Sequence, residues 1–143
     1  MVKAFGCKVC AGFVDAESIR TGDAQAILST QVGIDVPPIP VGDLHHGDVI
    51  DIGAHRLQIL ETPGHTRGGV CYLDEVTSSL FSGDTLFSNS VGRTDFYGGS
   101  LASLRNSIKY LRDIAFKDLY PGHGDPTSDG PLAIKIGLQI VGD

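Results

Sequence analysis

Nowhere in this chain does an apolar run approach the roughly 20 residues that a membrane-spanning helix needs. There is no cluster of Lys or Arg either, and the formal net charge is −6. The acidic balance and the missing basic cluster argue against an anionic membrane or a nucleic acid as the main partner. Cysteine is scarce, at three residues, and a small odd count points to a reducing, cytoplasmic setting rather than a disulfide framework. The opening MVKAFGCKVCAG is broken by Lys8 and lacks the shape of a signal peptide. Repeats, low-complexity tracts and linkers are absent, so residues 1–143 are expected to form one domain.

What is abundant is glycine, 19 of 143 residues, clustered after residue 47. Such a chain has many tight turns between short strands. Apolar residues make up 41% and charged residues 20%, the balance of an ordinary globular domain long enough to bury a core.

The pattern predicts a helix tail over Met1–Phe5 ended by Gly6, then a short strand over Cys7–Ala11. Helices follow over Asp15–Arg20 and Asp23–Thr30, each opened by a capping Asp. Ile34–Val41 carries three prolines and cannot be helical. Strands are expected over Val49–Ile52 and Arg56–Glu61 about a Gly53-Ala54 turn, then over Val70–Leu73 and Ser79–Ser82. Ser100 caps a helix running to about Ile114, with Leu101, Leu104, Ile108 and Leu111 on one face. Lys117–Tyr120 is a short strand. Pro131–Val141 carries two patterns: Pro131 suits a helix start, while Ile134, Ile136, Leu138 and Ile140 alternate as in a strand. Helix is the preferred reading.

The chemistry gathers at three strand ends. Leu57–Leu60 leads into Thr62-Pro63-Gly64-His65-Thr66. The buried pair Leu80-Phe81 leads into Gly83-Asp84-Thr85, where Gly83 permits a backbone angle that holds Asp84 at the rim. Asp118-Leu119 leads into Tyr120-Pro121-Gly122-His123-Gly124. Imidazole and carboxylate are the ligand set of zinc and of non-haem iron. Other candidates read more simply: His45, His46 and His55 as surface turn residues, Cys7, Cys10 and Cys71 as core packing. Arg93 and Asp95 read equally well as a pair locking their loop or as part of a site.

Taken together, T-P-G-H-T at 62–66, L-F-S-G-D-T-L-F at 80–87, G-R-T-D-F at 92–96 and P-G-H-G at 121–124 resemble the metallo-β-lactamase superfamily. Their order and spacing are close to the small glyoxalase II-like (hydroxyacylglutathione hydrolase-like) enzymes. The resemblance implies an α/β (α+β) αββα sandwich with metals at one edge. It makes His65 and His123 ligands of single metals, and Asp84 the carboxylate that bridges two metals and orients the catalytic water. Arg93, Asn89 and Tyr97 become possible substrate contacts. The family's upstream H-x-H-x-D-H motif is missing, and no two of the five histidines stand two residues apart. The expectation is therefore an N-terminally incomplete domain, about the C-terminal two-thirds of the family fold.

By resemblance the activity is hydrolysis of a thioester or similar acyl substrate. Two zinc ions about 3.5–4 Å apart would supply a hydroxide to attack the carbonyl. With two ligands left per ion, one metal held by His65, Asp84 and His123 together is also conceivable. A rival expectation is a non-catalytic remnant whose uncovered sheet pairs with a second copy, as a homodimer or other oligomer. The G-R-T-D-F piece also resembles persulfide dioxygenases, which suggests a third reading with a single iron.

Overall fold

A computed structural model describes residues 6–34 and 36–142. In chain order the elements are β1 (Cys10–Gly12), α1 (Phe13–Thr21), α2 (Ser29–Val32), β2 (Gly42–Leu44), β3 (Val49–Ile52), β4 (His55–Glu61), β5 (Val70–Asp74), β6 (Ser79–Gly83), α3 (Leu101–Arg112), β7 (Asp118–Pro121) and α4 (Gly130–Val141). The expected Met1–Phe5 helix tail lies outside the described residues. Among those described, no helix is long and apolar enough to cross a membrane.

Five strands form the main sheet in the order β3-β4-β5-β6-β7. The first three junctions are antiparallel and β6–β7 is parallel. Register decides which residues share a face. Leu60 pairs with Cys71, Leu73 with Leu80, and Leu80 with Leu119. These five side chains project to one face, where Leu104, Ile108 and Leu111 of α3 and Ala133, Ile134, Leu138 and Val141 of α4 complete the core. The Ser100 hydroxyl accepts from the Ser103 amide and caps α3 as expected.

The other face carries Ile59, Tyr72, Phe81 and Tyr120. Part of it is covered by a two-stranded parallel sheet, β1–β2, against which α1 packs. The contact is close: a Cβ on Gly12 would lie 2.9 Å from the Val70 side chain and 2.0 Å from the Gly68 carbonyl. The arrangement is two sheets with helices outside the larger one and beside the smaller, the mixed α/β sandwich expected.

Several local expectations need correction. The first strand is Cys10–Gly12, and Cys7 and Cys10 are exposed rather than packed in a core; only Cys71 is buried. Asp15 does not cap its helix, because Gly12 holds that position. Its carboxylate instead accepts from the Gly68 amide at 2.8 Å and the Thr66 hydroxyl at 2.5 Å, tying α1 to a turn 51 residues away. Asp23 accepts from the amides of Gln25 and Ala26 and starts a series of turns, so only Ser29–Val32 is helical. Leu101 and Phe81 are 48% and 39% exposed, so neither belongs to the core. Pro131–Val141 is helical, starting at Gly130: residues 133, 134, 137, 138 and 141 are buried at helical spacing, and the alternating Ile140 is 51% exposed.

Candidate functional site

Sheet topology collects the three turns singled out in the sequence. β4 and β6 both run antiparallel to β5, and β7 runs parallel to β6. The C-terminal ends of β4, β6 and β7 therefore meet at one edge, and each is followed within a few residues by His65, Asp84 or His123.

Close backbone packing fixes each turn. Gly64 lies so near α3 that a Cβ would stand 2.5 Å from the Leu104 backbone. The Gly64 carbonyl accepts from the Ser100 amide at 2.8 Å, which pins the His65 turn to the start of α3. Gly83 has φ +50°, left-handed geometry that turns the chain out of β6. Asp84 is bracketed by two glycines: a Cβ on Gly122 would lie 2.5 Å from Asp84 Oδ1, and one on Gly92 would lie 1.7 Å from the Asp84 carbonyl. Only glycine leaves room for this carboxylate.

Asp84 presents one oxygen to each imidazole. His65 Nε2 lies 3.6 Å from Oδ2, and His123 Nε2 lies 3.7 Å from Oδ1. Both separations exceed hydrogen-bond range. Oδ1 is buried and has no hydrogen-bond partner. An orphaned carboxylate oxygen costs free energy unless something charged or donating meets it. Two donors of one tetrahedral zinc, each about 2.1 Å from it, stand about 3.4 Å apart, close to both spacings here. So the donors fit a cation between His65 and Asp84, and another between Asp84 and His123. Among the described residues, no three His, Cys, Asp or Glu side chains are grouped so as to hold one ion. Each oxygen of Asp84 thus faces a different imidazole.

Beneath the rim, the Thr62 hydroxyl lies 3.1 Å from that of Thr85 and 3.2 Å from Cys71 Sγ. Burial pushes the Cys71 thiol up to about 11, so it stays protonated and inert. His65 Nδ1 donates to the Arg93 carbonyl at 2.7 Å. Phe87 meets the His123 ring edge-on, centroids 6.2 Å apart.

The proposed substrate contacts are dispersed around this edge. Asn89 is exposed on the bend between the bridged residues Leu86 and Val91. The Arg93 guanidinium is held by Asp95, and Tyr97 lies under the guanidinium of Arg67 at 5.3 Å. Sequence reasoning missed Arg67 and the Thr62–Thr85 pair; their contacts join loops distant in sequence, with no local pattern to betray them. His45 and His46 are exposed turn residues as expected. His55 is more than that, its Nδ1 bonded to the buried Asp74 carboxylate at 2.7 Å.

Known proteins resemble this chain in sequence and in fold. A family model described as the metallo-beta-lactamase superfamily matches residues 2–123. The chain is 33% identical over 129 residues to a probable metallo-hydrolase of Methanocaldococcus jannaschii, covering 85% of this chain and 59% of that one. It is 37% identical over 100 residues to a hydroxyacylglutathione hydrolase of Bradyrhizobium, covering 68% of this chain and 36% of that one. A solved structure titled TTHA1623 in a di-iron-bound form superposes with a TM-score of 0.74 at 30% identity, covering 91% of this chain and 64% of that one. The chain thus spans 59% of the first of these relatives and about a third of the second.

Proposed function

The chain belongs to the metallo-beta-lactamase superfamily, and from that premise we propose that it carries the site of a metal-dependent hydrolase acting on a thioester or similar acyl substrate. The observation behind this reading is Asp84: each oxygen faces one imidazole, and Oδ1 is buried without a partner. His65 with Asp84 would hold one ion and His123 with Asp84 a second, zinc or iron by donor chemistry. When bound, such ions acidify a water and polarise an acyl carbonyl. The chain's own residues orient and exclude. Asp84, fixed by Gly92 and Gly122, is the carboxylate that aligns the water. Thr62, Thr85 and Cys71 close the floor beneath it. Asn89, Tyr97 and the Arg93 loop form the rim where an acyl substrate would lie. The likeness to a hydroxyacylglutathione hydrolase supports the thioester class. We place the protein in the reducing cytoplasm on its small, odd cysteine count.

A catalytic zinc takes three protein ligands and a water, whereas each ion here would have two. The test is therefore metal content first, then release of thiol from a panel of acyl thioesters. Metal bound in the wild type and lost in Asp84→Asn, with turnover lost in parallel, supports the reading. Metal-free wild type without turnover rejects it for this polypeptide.

A second reading, self-association, is favoured by the apolar residues on the uncovered part of the main sheet. Ile52 is 55% exposed and Tyr120 43%. They line, with Leu57 and Phe81, an open groove of about 530 Å³.

A further inference from the structure

We infer that the loop over residues 92–96 is the positioning device of His65, with the Arg93–Asp95 pair as its latch. The starting point is the bond from His65 Nδ1 to the Arg93 carbonyl, 2.7 Å. A carbonyl oxygen can only accept, so Nδ1 must carry the proton. In a neutral imidazole the lone pair then lies on Nε2, the atom facing Asp84. The Arg93 main chain thereby selects both the tautomer and the ring orientation that a ligand needs.

What holds that carbonyl in place is the side chain of the same residue. The guanidinium grips the Asp95 carboxylate with two bonds, Nε to Oδ1 at 2.9 Å and Nη2 to Oδ2 at 2.6 Å. It also stacks over the Phe96 ring at 4.2 Å. The fork geometry fixes a two-residue span, which a lysine could not do. The loop is tightened from both ends. Gly92 sits so close that a Cβ would lie 3.2 Å from the His65 Cβ, and one on Gly99 would lie 2.4 Å from the Thr94 carbonyl. The pair itself is solvent-exposed, at 65% and 63%. An exposed pair contributes little to global stability, so the latch can be removed without unfolding the domain. Arg93 acts through His65 and is a positioning residue, which gives its engaged guanidinium a role other than substrate contact.

This inference rests on the proposed function only for why Nε2 should be free. Its test uses the metal-free protein. Long-range proton–nitrogen correlation of the His65 ring is recorded at about pH 8, above the ordinary imidazole range. The wild type should show a single tautomer with the proton on Nδ1. Arg93→Ala and Asp95→Ala should each give a mixture of tautomers, and the exchange Arg93→Asp with Asp95→Arg should restore the single form. Zinc competition should show affinity weakened about 10- to 100-fold in the two single variants and recovered in the exchange. Unchanged tautomer in both single variants, or a wild-type proton on Nε2, overturns the inference. If the tautomer responds but the wild type binds no zinc, the latch stands and the metal reading falls.

Discussion

The main sheet has two faces made by the same strands, and they differ sharply. Toward α3 and α4, Leu60, Cys71, Leu73, Leu80 and Leu119 are between 0% and 6% exposed. Toward β1–β2, Ile59 is fully buried while Phe81 and Tyr120 are 39% and 43% exposed. Alternation along a strand usually places apolar residues on one face and polar residues on the other. Here both faces are apolar, the signature of a sheet built to be covered twice. The lesson is that burial of the strands comes from the helix side, while the second face carries apolar surface whose cover is partial among the described residues. The site lies at the edge where the strands end, so its scaffold is anchored by the complete face.

Neighbouring residues on β6 break this comparison most directly. Leu80→Ala removes a fully buried side chain between Leu73 and Leu119, and should cost about 2–5 kcal/mol. Phe81→Ala, one residue on, removes a partly exposed ring stacked on Tyr120 at 5.1 Å, and should cost less than about 1.5 kcal/mol. Urea unfolding of both variants in dilute solution measures the gap. Equal costs would mean that the second face is as well covered as the first.

The same surface sets the next effect. Replacing Ile52 and Phe81 together by serine should move the chain toward monomer in light scattering, with little change in helix content. Stable interfaces bury about 800 Å² per partner, so the uncovered groove needs its surroundings to complete one. A wild-type chain that stays monomeric at high concentration sinks the self-association reading.

Much of this was legible in the sequence, for identifiable reasons. The hairpins around Gly53 and Asp74–Ser78 follow from alternation interrupted by turn residues, and the Ser100 cap from a hydroxyl before a helical stripe. The three site turns were legible because each is a glycine-bearing strand end with a ligating side chain. Less legible was whatever depends on partners distant in sequence. Asp15 has the form of a cap, yet its carboxylate is spent on Thr66 and Gly68. Cys10 has the composition of a core strand, but the strand covering it is β2 alone, so its side chain stays exposed. Phe81 reads as buried with Leu80, yet it points to the opposite face, and only tertiary structure reveals how far that face is covered. The role of Arg93 turned on its main-chain carbonyl, an atom every residue has.

The smallest expected effect concerns the corner where the uncovered face meets its polar border. Asp74 is 3% exposed, and its carboxylate accepts from the Thr77 hydroxyl at 2.7 Å, from His55 Nδ1 at 2.7 Å and from the Val76 amide at 3.0 Å. The Thr77 bond foremost, then His55 and Val76, holds this carboxyl below its ordinary value of 3.8. A depressed native value means that the unfolded chain takes up its proton first as pH falls. The stability supplied by these bonds is therefore complete above the ordinary carboxylate value. It drains away below that value, as pH falls through the native one. Melting temperature recorded between about pH 5 and pH 2 should fall more gently with acid in Asp74→Asn than in the wild type. The variant should also start lower at neutral pH, because the amide replaces a charged acceptor of three donors by a neutral one. Parallel slopes in the two proteins would show that Asp74 does not report on this face, and that acid lability arises from carboxylates elsewhere.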